Sequence, residues 1–348
     1  MERGEAELGS LELLDPDALD VGRWTRDGAD GADLWFAVLQ RALHLCEVEP
    51  GPLALAGSLS AGVVESTCRS LLDEGWSFIA GETIAARIRK RKTHRILREI
   101  RRAAAGVNTA FRSVARCLAT ADVMASGELT RDGEPLTVGR LRSLIARQLA
   151  AFDLSQPDRN IIAPAEEGAI PHSLGTDERV IREGESLVVD LFPRGFAYVD
   201  CTRTFCVGTP DPALREAHHQ VEEALRLAEK NARPDAFGFD VQEKICEHFR
   251  RLGWPTSLYQ PGTERGYVHG LGHGLGLELH ELPSFRRYVC EPEGRLEVGD
   301  VITLEPGLYE PSPAGTGWGV RLENTYVVTE DGLDNLTPLP VDLDPRAW

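Results

Sequence analysis

Apolar residues along this 348-residue chain change period several times, and each change marks an element. LWFAVLQRALHL (34–45) repeats at helical spacing, whereas PLALAGSL (52–59) and WSFIAG (76–81) are short apolar runs of strand length. AGVVESTCRSLLDEG lies between those runs and reads as a helix closed by a C-terminal glycine. Strand, helix and strand in that order predict a parallel pair joined by a crossover. From Arg87 the chain turns basic, RIRKRKTHRILREIRR, and continues through AAAGVNTAFRSVARCLATAD. Ile96, Ile100, Ala103, Val107, Ala110, Phe111 and Val114 recur at three- and four-residue steps, which predicts one long amphipathic helix. Further helices are expected at about 135–151, 212–231 and 240–252, and a boundary between two units near residues 82–90. His44, His94, His218, His219 and His248 fall on predicted helices and are expected at the surface.

Beyond residue 185 the period shortens. SLVVD and AYVDCTRTFCV are β-rich and flank the turn formers Pro193, Arg194 and Gly195. A hairpin turning at Gly195 sets Asp190 directly opposite Asp200, with Val189, Leu191, Val199 and Cys201 on the other, apolar face. Like charges opposite one another destabilise a hairpin, so something must compensate. VHGLGHGLGLELHELP then places glycines at 270, 272, 274 and 276 in alternation with Leu271, His273, Leu275 and Leu277. A helix tolerates such a run poorly, at roughly 1 kcal/mol per glycine, so the segment is read as extended. Its bare face lets another element approach closely, and its other face carries His273 between leucines. Because Leu275 holds the last position of a G-x-G-x-x-G pattern, a dinucleotide site is rejected.

Two glutamates follow. Glu305 ends the run VITLE before Pro306 and Gly307, and Glu323 lies in GVRLENTYVVT, where alternation groups it with Arg321 and Thr325. Asp190, Asp200, His273, Glu305 and Glu323 thus stand in segments whose composition suggests buried strands beside turns. Four carboxylates and an imidazole carry too much negative charge to converge without cations, which makes a metal site the leading reading.

Composition narrows the partners. A formal net charge of −17 disfavours nucleic acid and anionic membrane, and the basic helix lacks interleaved aromatic residues. Its basic face is expected to meet water, the acidic remainder of the protein or another subunit. No apolar run is long enough to span a membrane and no secretory signal is visible at the start. Seven cysteines without a C-x-x-C pair suggest reduced thiols and a cytoplasmic setting.

The segments VVD…YVDCTRTF, PHSLG, HGLGHGLGLELHELP, ITLEPGLYEP and GVRLENTYVVTEDG together resemble the pita-bread metallopeptidase family (M24), which includes aminopeptidase P, prolidase and methionine aminopeptidase. The likeness extends from about Arg87 to the end. It implies an α/β (α+β) fold, with a curved antiparallel sheet covered by helices in a catalytic domain at 85–348. Residues 1–84 would form a small α/β N-terminal domain, shorter than in typical aminopeptidase P proteins. The same resemblance makes Asp190 a ligand of one divalent ion, His273 and Glu305 ligands of a second, and Asp200 and Glu323 bridges between them. An oxygen-rich set with a single imidazole suits manganese, with cobalt, zinc or iron as alternatives. Two such ions sharing a hydroxide would attack a peptide carbonyl. Glu305 would move the proton, His280 would bond the tetrahedral intermediate, and His172 and His269 would line the pocket. Arg321 would hold the bridging carboxylates. The implied activity is hydrolysis of Xaa-Pro bonds in dipeptides or at peptide N-termini, by a homodimer acting on proline-containing peptides.

The chain departs from the family pattern at three places. Phe192 replaces a glycine two residues after the first aspartate, the aspartates are ten rather than eleven residues apart, and Asn324 replaces an acidic residue. Phe192 is expected to narrow the pocket beside Asp190, and Asn324 to point away from the site. A non-catalytic peptide-binding module and an enzyme of different specificity, such as an amidinohydrolase, use the same fold and stay open as alternatives.

Overall fold

A computed structural model of the chain describes residues 15–29, 31–55, 59–287, 293–312 and 314–348; Cys290 and most of the acidic N-terminal stretch lie outside them. The chain divides into two compact units, Met1–Ala85 and Ala86–Trp348. In the first, strands Pro52–Leu55 and Ser77–Ala80 pair in parallel, joined by helix Ala61–Asp73, as the apolar runs predicted. Helix Gly31–Leu45 belongs to the same unit.

The second unit opens with a departure from expectation. The basic segment is two helices, Glu82–Lys90 and His94–Ala119, rather than one. Thr93 breaks the run because its hydroxyl accepts from the Ile96 amide and caps the second helix. In the break Lys92 turns inward, where its Nζ donates to Glu281 at 2.7 Å and to the Arg89 carbonyl. Lys90 is buried as well, 3.4 Å from Asp300. The basic face therefore meets acidic residues of its own unit, and Arg101 and Arg102 pair with Asp334 and Asp153.

Helix His94–Ala119 buries Ile100, Val107, Phe111, Val114 and Leu118 against helix Val138–Ala150 and a three-stranded antiparallel sheet. That sheet orders Ile161–Pro164, Leu187–Leu191 and Cys201–Phe205, with Leu187–Leu191 in the middle. Helices Pro212–Asn231 and Gly238–Arg251 cover a second antiparallel sheet through Leu225, Val241, Ile245 and Phe249. Its strands run Glu281–Ser284, His273–Gly274, Val301–Leu304, Asn324–Thr329 and Gly332–Asn335. Each fully buried aliphatic side chain contributes about 1.5–3 kcal/mol, so both helix pairs are held chiefly by these faces. His218 is buried on helix Pro212–Asn231, not at the surface as its helical position suggested. This is the pita-bread architecture, two helix-covered antiparallel halves.

Threonine hydroxyls join the two halves. Thr325 Oγ1 accepts from the Asp200 amide at 3.1 Å and donates to the Asp200 carbonyl at 2.7 Å. Thr204 does the same for Arg321, donating to its carbonyl and accepting from its amide, both at 3.0 Å. The Glu323 amide donates to the Thr202 carbonyl at 3.0 Å. These bonds bring the aspartates of one half beside the glutamates of the other.

Candidate metal centre

The hairpin register differs by one step from the simplest reading. Asp190 pairs with Thr202, Leu191 with Cys201 and Arg194 with Tyr198, so the turn centres on Phe196 and not Gly195. Asp200 is then two residues from the position opposite Asp190. A displacement of two keeps both side chains on one face. Cys201 lies on the opposite face in the apolar core, where burial pushes its thiol up to about 12.

The alternating glycines behave as close-approach positions. A Cβ on Gly272 would sit 2.1 Å from the Thr303 carbonyl oxygen, and one on Gly274 would sit 2.1 Å from that of Leu282. Only bare backbone lets His273–Gly274 enter between two strands, and that entry delivers His273 to the site. Gly270, by contrast, faces open space.

Asp200, His273 and Glu323 each offer a ligand atom, all within 4.8 Å of one another. His273 Nε2 is 3.7 Å from Asp200 Oδ2 and 3.7 Å from Glu305 Oε1. Glu305 therefore borders the trio, and Asp190 borders it through Asp200. Asp190 Oδ1, Asp200 Oδ1 and Glu323 Oε1 are buried with no hydrogen-bond partner among the described residues. One orphaned buried polar atom costs about 1–3 kcal/mol, and a charged one more, so three in one place fit a cation-binding set. The electrostatics agree. Burial raises Asp200 and Glu323 well above the usual carboxylate range, with further elevation from neighbouring carboxylates. Burial likewise pushes Glu305 up to about 8, opposed by Arg321 and assisted by Asp190. Burial, and then His280, holds His273 down at about 3, leaving its imidazole neutral as a metal ligand must be.

Arg321 has a partner other than the one expected. Its Nη2 donates to Asp190 Oδ2 at 2.7 Å, while Nε donates to Thr202 Oγ1 at 3.2 Å. Thr202 in turn donates to Glu323 Oε2 at 2.7 Å, so Arg321 reaches that carboxylate only through a hydroxyl. Arg321 Nη1 donates to Tyr309 Oη at 2.6 Å, and Tyr309 bonds His269 Nε2 at 2.9 Å. His269 Nδ1 also lies 3.8 Å from Glu305 Oε2. Thr202 and Tyr309 were not singled out from the sequence, although both lie inside the motifs that carried it. Arg203 escaped notice altogether, because alternation assigns it to the apolar face. It is fully buried and donates to the carbonyls of Glu323 (2.6 Å) and Pro340 (2.8 Å) and to Asn324 Oδ1 (2.7 Å). Asn324 thus points away from the site, as alternation predicted.

A cleft of about 620 Å³ opens over these groups, with His172, His269, His273, His280 and Glu305 in its wall. The ring centroids of His273 and His280 are 4.4 Å apart. Phe239, Phe285, Arg286 and Arg287 also line the cleft. Phe192 does not; it packs against Ile161, Ala163 and Val188 instead of narrowing the pocket.

Fold and site together define a class: a helix-covered antiparallel scaffold built around a candidate metal centre. Residues 93–330 match metallopeptidase family M24, and the chain belongs to that family. It is 36% identical over 178 residues to a Xaa-Pro dipeptidase of Pyrococcus furiosus, covering 51% of this chain and 46% of that protein. It is 35% identical over 210 residues to Xaa-Pro aminopeptidase 2 of Streptomyces coelicolor, covering 54% and 44%. The chain thus spans under half the length of these curated relatives in the matched region. The prolidase structure from Pyrococcus horikoshii superimposes with a TM-score of 0.69 at 25% identity, covering 84% of this chain and 76% of that one.

Proposed function

We propose that this protein hydrolyses Xaa-Pro peptide bonds, in dipeptides or at peptide N-termini, at a centre of two divalent ions. The observation that carries the proposal is the set of three orphaned carboxylate oxygens beside neutral His273 at the base of an open cleft. Asp190, Asp200, His273, Glu305 and Glu323 would hold the ions, and the oxygen-rich set favours manganese. Such ions, when bound, lower the pKa of water and polarise a carbonyl.

The chain's own residues supply the rest. Glu305, at the boundary between the carboxylate cluster and the cleft, takes the proton of the attacking water and delivers it to the leaving nitrogen. His280 and His172 stand on the cleft wall to donate to substrate oxygens, and His269 is oriented by Tyr309. Arg286 and Arg287 line the same cleft and suit a substrate carboxylate. Proline specificity is supported by the names of both relatives, one a dipeptidase and one an aminopeptidase. The six described cysteines are all free, which supports a reducing compartment such as the cytoplasm.

Hydrolysis of Ala-Pro and of a longer Xaa-Pro peptide, with manganese, cobalt and zinc compared, tests the reading. Cleavage of neither peptide by metal-loaded protein would refute it. Glu305→Ala is expected to abolish turnover with the fold retained, and undiminished turnover would remove its assigned role.

A further inference from the structure

We infer that a second cavity, of about 330 Å³, binds a small molecule carrying two or more phosphate groups. It lies between helices His94–Ala119 and Val138–Ala150 and the hairpin Leu129–Arg131/Glu134–Pro135, and shares no lining residue with the cleft over the metal centre. Arg116, Arg131, Arg140 and Arg147 line it against a single carboxylate, Asp132, in a chain whose net charge is −17. That local excess of positive charge attracts an anion.

Two of the arginines are not placed there by other demands. Arg116 and Arg147 have no side-chain ion pair or hydrogen bond among the described residues, whereas Arg101, Arg102 and Arg182 of the same unit each meet a carboxylate. Arg140 stands in the first turn of helix Val138–Ala150, where the positive end of the helix dipole disfavours a cation. Its Nη1 is held there by the carbonyls of Glu134 (3.0 Å) and Pro135 (2.9 Å), which fix the guanidinium without neutralising it. Arg131 is held by Thr120 Oγ1 at 3.2 Å and lies 3.9 Å from Asp132 Oδ2, the one carboxylate in the lining. Two fixed and two unpartnered guanidiniums form a multidentate set for oxyanions. The half-open cavity is of small-ligand size, and no aromatic residue lines it to stack a nucleobase.

Titration calorimetry of the metal-loaded protein at fixed ionic strength tests this, with 2,3-bisphosphoglycerate as the phosphate probe and propane-1,2,3-tricarboxylate as the carboxylate probe. The expected result is saturable binding of the bisphosphate, weakened about tenfold or more in R116Q/R147Q. The substitutions leave the metal centre untouched, so peptidase activity and metal content serve as folding controls. Preferential binding of the tricarboxylate would overturn the phosphate assignment. Binding of neither probe, or bisphosphate binding unchanged in the variant, would overturn the site.

Discussion

Arg321 Nη2 lies 2.7 Å from Asp190 Oδ2, with the two side chains only 4% and 10% exposed. Of the four carboxylates at the site, only Asp190 has a cationic side chain of its own among the described residues; the others face each other and His273. Arg321 therefore orients Asp190 without metal, while burial drives Asp200, Glu305 and Glu323 toward protonation. The Arg321 charge survives burial because Tyr309 and Asp190, with Glu305 and Glu323, raise its pKa further than desolvation lowers it.

Arg321→Met removes that counter-ion while keeping much of the volume. Stability is expected to fall by about 3–5 kcal/mol, as for a broken buried ion pair. Metal affinity is expected to fall about 10–100-fold, because the partner that orients a ligand is lost. Denaturant titration and metal titration of the purified variant read the two effects separately.

Glu323→Gln should act in opposite directions on stability and metal binding. It removes one charge from a crowded buried set and retains an oxygen to accept from Thr202. The metal-free variant should melt about 2 °C or more above the parent, yet retain fewer metal ions after dialysis. A lower melting temperature in chelator would contradict the carboxylate repulsion inferred here.

The metal-free protein should lose stability as pH rises. Glu305 is raised from its ordinary 4.5 to about 8, so the folded state holds the proton more tightly than the unfolded chain. The resulting stabilisation is complete below about 4.5, declines above it, and is lost as pH passes through about 8. Melting temperatures in chelator from pH 5 to pH 9 check this, and Glu305→Gln should flatten the slope.

Gly274→Ala and Gly270→Ala form a matched pair. The first places a methyl 2.1 Å from the Leu282 carbonyl oxygen, and the second places one in open space. Overpacking of this kind costs about 1–3 kcal/mol or more, so only Gly274→Ala should destabilise the fold and displace His273. Equal melting temperatures for the two variants would show that the strand can yield.

Lys92→Met should expose a second buried charge, this time outside the metal centre. Glu281 is 1% exposed and 2.7 Å from Lys92 Nζ, with Arg89 3.5 Å away as a weaker partner. A loss of about 3–5 kcal/mol is expected on removing one member of such a pair. Lys92→Met/Glu281→Leu should recover part of it, since the orphaned carboxylate is then gone as well. Chemical denaturation of both variants measures the difference.

Features set by local period were legible in the chain. Alternation placed Asp190 and Asp200 on one strand face and Cys201 on the other, and turned Asn324 away from Glu323. Four alternating glycines announced a segment that other strands approach closely, because a missing Cβ permits what no other residue does. The strand–helix–strand of the first unit was readable for the same reason, since crossover length and apolar runs are properties of neighbouring residues.

What depends on distant residues was not. The turn moved from Gly195 to Phe196 because the pairing of Leu187–Leu191 with Cys201–Phe205 set the register, and turn propensity alone did not. Phe192 found an apolar niche against Ile161, Ala163 and Val188 that no local pattern announces. The basic helix broke at Thr93 because a hydroxyl cap and a buried carboxylate 189 residues away, Glu281, both draw on that stretch. Arg203 looked like an apolar-face residue until carbonyls from two later segments, at Glu323 and Pro340, closed around it. Side-chain type and period limit which face a residue can present. The partners that meet it there come from whichever strands the two halves bring together, and in this protein threonine hydroxyls between those halves complete the site.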